Sequence, residues 1–368
     1  MTLTIRSAIA ALTASALLST AAPAAEDLTS GMDRGTPDLK SAGAMTFGPE
    51  GILFVGDTAG AAVFAIDTGD ATSTAGGAIE AAKVNEAIAA ALGTEPREIL
   101  VNDLAVNPAS GRAYLSVSRG RGPDAEPAIV RVDASGAVEV MDLADVPFAK
   151  AMLPNAPDPN AEERGRSLRA QAITDLVFAD GRLFVAGLSN EEFSSRLLAI
   201  PVPFEADSNS ASLEIYHGAH GRFETRSPIR TFVATQIQGE PYLMAAYTCT
   251  PLVKIPVADL KAGAHVKGTT VAELGNRNNP LDLVSYRKGG RDVLLVANSA
   301  RGVMKVDAGP ASSIEGITSP VEDTAGLEYE TLGDLAGVVQ LDRLDDTHAL
   351  VLVQDDSGAQ DLRTIELP

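Results

Sequence analysis

Met45-Thr46-Phe47-Gly48-Pro49-Glu50-Gly51-Ile52-Leu53-Phe54-Val55-Gly56-Asp57-Thr58 is the stretch that decides the fold. It reads as a short apolar strand, a tight turn, a second apolar strand and a polar loop. Pro presets φ for a turn and Gly accepts positive φ, so Gly48 to Gly51 suits a hairpin. The second strand recurs as Tyr114-Leu115-Ser116-Val117, Leu183-Phe184-Val185, Tyr242-Leu243-Met244, Val293-Leu294-Leu295-Val296 and Leu350-Val351-Leu352-Val353. From Leu53 onward the first residues of these strands are 61, 69, 59, 51 and 57 apart. Third strands follow at 63–66, 129–132, 197–200, 252–255, 303–306 and 362–367, with fainter fourth strands at 138–143, 213–216, 270–274 and 327–332.

A four-stranded unit repeated at this period is a propeller blade. The expected fold is all-β, a six-bladed β-propeller with helical and irregular insertions on one face. A seventh unit would have to lie in residues 26–42 or between the second and third units. An N-terminal strand is expected to close the ring against the last blade. Two stretches do not read as blade. Ala78 to Leu92 has Ile79, Val84, Ile88 and Leu92 on one stripe, an amphipathic helix ended by Gly93. Ala144 to Ala170 is Pro-rich and then charged, too long for a passive connection. Both are expected between a fourth strand and the next first strand.

Residues 1–25 read as a signal peptide, with Arg6, an apolar run from Ala8 to Leu18 and a small-x-small pattern at Ala22-Pro23-Ala24. Residues 26–368 then form one propeller domain, and the location is periplasmic or secreted. No stretch is long and apolar enough for a transmembrane segment. The chain carries a net charge of −20, and losing Arg6 with the leader makes it −21. Such a surface repels nucleic acid and anionic lipid and suits a small molecule, a cation or an exported protein partner; a monomer is expected. Cys249 is the one cysteine, so the chain has no internal disulfide. There is no CxxCH, CxxC or zinc-ligand spacing, and neither haem nor nucleotide is expected as a cofactor. The chain has no Trp, whereas propellers of the tryptophan-aspartate and quinoprotein types carry Trp in every blade.

Strands within a blade are antiparallel, so second-to-third loops share a face with the blade-to-blade crossovers. These are the long, polar segments, and a site is expected there. Three first strands begin Asn102-Asp103-Leu104, Thr174-Asp175-Leu176 and Leu281-Asp282-Leu283. First strands line the channel, which places Asp103, Asp175 and Asp282 around its mouth. Converging carboxylates repel, and a hard cation such as Ca²⁺ would offset the cost, with Asn102 and Asn279 adding amide oxygens. The competing reading is that each Asp caps its own turn through backbone N–H groups. In the crossover His217 to Arg230, His217 and His220 form an HxxH, and Cys249 in the next loop makes a His/His/Cys metal site conceivable. Arg226 and Arg230 have the fork geometry for a carboxylate or phosphate ligand. They would otherwise pair with loop acids such as Glu191 and Glu224. Glu191 and Asn298 are further loop-face candidates.

The units resemble NHL-repeat and gluconolactonase (regucalcin)-like propellers, most clearly over Met45 to Thr58, whose Gly48-Pro49-Glu50-Gly51 and Gly56-Asp57-Thr58 look like that family's turn and loop. The resemblance is one of fold. It implies a divalent cation at the channel mouth and hydrolysis of lactones. Glu50 lies in a turn on the opposite face, so it does not stand for the family's metal-binding Glu. Neither G-x-S-x-G nor H-E-x-x-H occurs, and no catalytic residue is assigned. The expectation is an exported propeller that binds a small ligand, cation or partner on its long-loop face. The alternative is a divalent-metal-dependent hydrolase of the lactonase type.

Overall fold

The computed structural model describes residues 28–72, 77–204, 208–249 and 251–368. The expected signal peptide lies outside the described residues. The chain forms a six-bladed β-propeller. The first strands are Met45–Phe47, Ile99–Val106, Asp175–Ala179, Ile229–Ile237, Pro280–Lys288 and Val338–Arg343, for blades one to six in chain order. The second strand of every blade is mostly buried, because both of its faces pack on neighbouring blades, while third strands range from almost wholly buried in blade three to largely accessible in blade six.

The order around the ring is not the chain order. Six apolar clusters mark the six seams. One joins blade one to blade two through Phe64, Leu53, Tyr114 and Ile129. Blade two packs on blade six, six on five, five on four, four on three and three on one. The ring therefore runs three, four, five, six, two, one: blades one and two are exchanged relative to a simple circuit.

The exchange comes from two short strands. After its third strand, Ala62–Asp67, blade one is left incomplete. The chain next supplies Glu80–Ala81, which pairs with Leu362 and Arg363 and closes blade six. Helix α1, Val84–Ala91, follows with Val84, Ile88 and Ala89 buried, and Gly93 just after it has a φ of 65°. Blade two is then built from Ile99 to Val140. Only afterwards does Val146–Met152 return to pair with Ala62 to Ile66 and complete blade one, and Asp33–Gly35 adds a further strand outside it.

The last blade is closed not by an N-terminal strand, as expected, but by Glu80–Ala81 from after blade one, while Asp33–Gly35 pairs in blade one. The helix is shorter than expected at its start, because Glu80–Ala81 within the expected helical stretch is drawn into the ladder of blade six. The long stretch from Ala144 to Ala170 is not wholly a crossover, since its first part is the missing outer strand of blade one. The reading failed there because Val146-Pro147-Phe148-Ala149-Lys150 carries a Pro and little alternation. Pro147 stands opposite Arg34 of the short outer strand Asp33–Gly35, near the rim of the blade, where a missing N–H is tolerated.

Candidate functional site

The exchange of blades makes sense of the aspartates. Blades two, three and five look irregular in sequence, but in the ring they alternate with blades one, four and six. Each Asp latches its blade to the next in the same rotational direction. Asp175 accepts the N–H of Leu176 at 2.8 Å and of Phe232 in blade four at 2.8 Å. Asp282 accepts those of Leu283 at 2.8 Å and of Leu341 in blade six at 2.8 Å. Asp103 accepts those of Leu104 at 2.9 Å and of Met45 in blade one at 2.6 Å. Asp342 repeats the device, accepting Arg343 and, across the seam into blade two, Val106. The Asp–Leu pattern did not pick out Asp342, which follows a Leu rather than preceding one.

These carboxylates share a cavity of about 650 Å³ that runs down the channel to the tight-turn face, where Pro108, Asp345 and Asp346 rim it. The trio thus stands deeper than a mouth, with its open space on the side of the short turns. Burial raises Asp175 to about 7 and Asp342 to about 6. Burial also lifts Asp103 and Asp282 well above the usual range, helped for both by the charge of other members of the ring. Held protons thus offset the mutual repulsion near neutral pH, and a bound cation would do the same at higher pH.

The loop face carries a different environment. A second cavity of about 620 Å³ lies between the crossover into blade three and that into blade four. Arg164 and Arg166, from the hairpin Glu162–Glu163/Arg166–Ser167, face Arg222 and Arg226 across it, with Phe223 and Leu188 as its apolar wall. Arg222 leans on Glu224 at 3.3 Å. The side chains of Arg164, Arg166 and Arg226 make no ion pair or hydrogen bond among the described residues, and Glu163 is the remaining acid on the wall. Arg230 sits half-buried between Asp175 and Arg166; burial lowers its guanidinium, Asp175 works against that and Arg166 adds to it. Arg164 and Arg166 were visible in sequence only as part of a charged run, because nothing local shows that the hairpin folds toward Arg226.

His217 and His220 come together beside this cavity, with their rings 3.9 Å apart, and Cys249 joins them. The other expected ligand residues hold structure. Asn102 donates to Ala42 O at 2.8 Å and to Ser118 Oγ at 2.9 Å. Asn298 is buried, accepting from Asn278 Nδ2 at 3.0 Å. Asn279 donates its N–H to Ser299. Glu191 accepts from Asn155 at the blade-three loop.

No protein-family model matches the chain, and no curated protein matches it in sequence. Among solved structures, one from Thermus thermophilus, provisionally assigned as an oxidoreductase (glucose dehydrogenase), is similar over 91% of this chain and 100% of its own, at 14% identity and a TM-score of 0.37. A chain from the complex of Drosophila Plexin A with Semaphorin 1b is similar over 91% of this chain and 86% of its own, at 10% identity and a TM-score of 0.39. At these values the likeness says nothing about ligand or activity. Among the described residues no helix is long and apolar enough to cross a membrane. The architecture itself defines the class: a six-bladed β-propeller with an acidic channel and an arginine-lined cavity on its long-loop face.

Proposed function

We propose that this propeller is an exported binding protein that takes a small organic anion, carrying carboxylate or phosphate, on its long-loop face. One observation supports this most. Three guanidinium groups without an acidic partner converge on one cavity in a chain whose net charge is −20. Like charges held together repel, and an anion reverses the sign of that interaction. Arg forks bind carboxylate and phosphate in bidentate fashion, and Phe223 offers the apolar body of an organic ligand a flat surface. Export is supported by the order of residues in the first 25 positions. The test is calorimetry with inorganic phosphate and with citrate at low ionic strength, on the wild type, Arg166→Gln and Arg226→Gln. Binding should weaken about tenfold or more in each variant, the loss of one charge-assisted pair. It should also weaken as salt is raised. Absence of binding to both anions, or variants that bind like the wild type, sinks the reading.

A second reading, divalent-metal-dependent hydrolysis of the lactonase type, is supported by the channel. The resemblance to gluconolactonase-like propellers implies a cation there, and Asp342 makes the acidic set one larger than the sequence suggested. Calorimetry of EDTA-treated protein with Ca²⁺, beside Asp103→Asn and Asp175→Asn, tests it. Binding that both variants abolish would favour this reading and justify a screen of lactones. No binding would leave the aspartates as latches between blades.

A further inference from the structure

The geometry points to a metal centre on the loop face, formed by His217, His220 and Cys249, that takes a single borderline-soft ion, zinc or copper. One ligand atom from each residue lies within 4.8 Å of the others. Ligands bound at the usual ~2.0–2.3 Å from zinc stand roughly 3.5 Å apart in a tetrahedral site, so rotation of the exposed His220 ring has to draw the set in by about 1 Å.

Three features prepare the site. The first is the turn. His217 and His220 flank Gly218 and Ala219 on one turn of 3₁₀-helix, Gly218–His220. Residues three apart eclipse one another in that helix, so both imidazoles project to the same side. Glu273 pins the turn from blade four, accepting the Gly218 N–H at 2.5 Å. A Cβ at position 218 would stand 2.9 Å from the Glu273 carboxylate, so the approach needs a glycine.

The second is Glu224. Its Oε1 meets His220 Nδ1 at 2.7 Å and its Oε2 meets His217 Nδ1 at 3.1 Å. An ionised carboxylate only accepts, so both Nδ1 atoms carry their protons and both Nε2 atoms turn away from Glu224. A carboxylate that fixes the tautomer and direction of a histidine is the usual support behind a metal ligand.

The third is an orphan. His217 is 2% exposed, and its Nε2 has no hydrogen-bond partner. A buried polar atom left unpaired costs free energy, and a metal ion at this point removes that cost. The Cys249 backbone is held from blade five: its N–H donates to Asn278 O at 2.9 Å, and the buried Asn278 is tied in turn to Asn298. Two imidazole nitrogens and one sulfur suit zinc or copper, and are a poor set for calcium or magnesium. None of these ligands is among the channel aspartates or the arginines of the anion cavity, so the centre stands or falls separately from both.

The test is metal titration of the full mature chain after chelator treatment and reduction. Zn²⁺ is measured against a chromophoric competitor, and Co²⁺ or Cu²⁺ by absorbance. One ion per chain is expected, with a thiolate-to-metal charge-transfer band. Cys249→Ser should abolish the band. His220→Gln, at an exposed position, should weaken binding at least as much as Glu224→Gln, for which a loss of about 10–100-fold is expected. Circular dichroism shows whether each variant is folded, and His220→Gln carries the test if His217→Gln is not. Absence of binding, binding without the band, or a stoichiometry and affinity indifferent to Cys249→Ser and His220→Gln would each overturn the proposal.

Discussion

Phe148 lies opposite Ile66 in the outer ladder of blade one, although the whole of blade two separates them in sequence. Its ring packs 6.1 Å from that of Phe64, at the seam that also holds Tyr114 of blade two. The returning strand thus stitches two blades together. Phe148→Ala should lower the stability of the protein by about 2 kcal/mol, below the usual cost for a fully buried Phe because this one is partly exposed. Urea denaturation gives the number. Hydrogen exchange should show the loss concentrated in 62–67 and 146–152 rather than spread around the ring.

The aspartate ring makes stability depend on pH. The native values of Asp175 and Asp342, about 7 and about 6, lie above the ordinary 3.8, so the folded state holds protons that the unfolded state releases. That contribution is complete below the unfolded value and is lost as pH rises through the native ones. One pKa unit is worth about 1.4 kcal/mol and channel water screens part of it, so a fall of about 2 kcal/mol is expected from about pH 5 to about pH 8. Thermal melts across that range test this. If Ca²⁺ occupies the ring, it should recover the loss at the alkaline end, and Asp282→Asn should remove the recovery.

Asp70, 4% exposed, gathers four neighbours from blade two. Ser110 and Tyr114 donate hydroxyls at 2.7 and 2.9 Å, Arg112 a guanidinium N–H at 2.7 Å and Asn107 its amide to the Asp70 carbonyl at 2.7 Å. Asp70→Ala removes the acceptor shared by three side-chain donors at the seam between blades one and two. A loss of about 3 kcal/mol is expected, as for one partner removed from a buried ionic pair, measured by urea denaturation at neutral pH.

Arg196 is the largest fully buried side chain among the described residues. One nitrogen donates to Pro154 O, while Nε and Nη2 are without partners. Burial lowers the guanidinium to about 10, with Glu191 acting in the opposite direction. An apolar side chain of similar length avoids the desolvation cost, so Arg196→Met should raise stability by about 1–3 kcal/mol. A melting temperature that falls instead would show that Arg196 is held by more than its one hydrogen bond.

Much of this protein follows from local chemistry. The unit Met45 to Thr58, its five echoes and the turns between them determine strand, hairpin and blade count, because alternation of apolar runs and Gly-, Asn- or Asp-containing turns acts over a few residues. The first-strand aspartates and the HxxH with Cys249 were legible for the same reason: residue type and position within the unit say which face a side chain reaches. What only the tertiary structure decided is which blade sits beside which, and so which side chains meet. Every blade buries two apolar faces of similar composition, and neighbours are chosen by the fit of particular surfaces such as Tyr114 against Phe47 and Asp70. That choice exchanges blades one and two and sets the aspartates on alternate blades. Loop-to-loop contact, fixed only once the ring is closed, brings Arg166 to face Arg226 and seats Glu224 between two histidines.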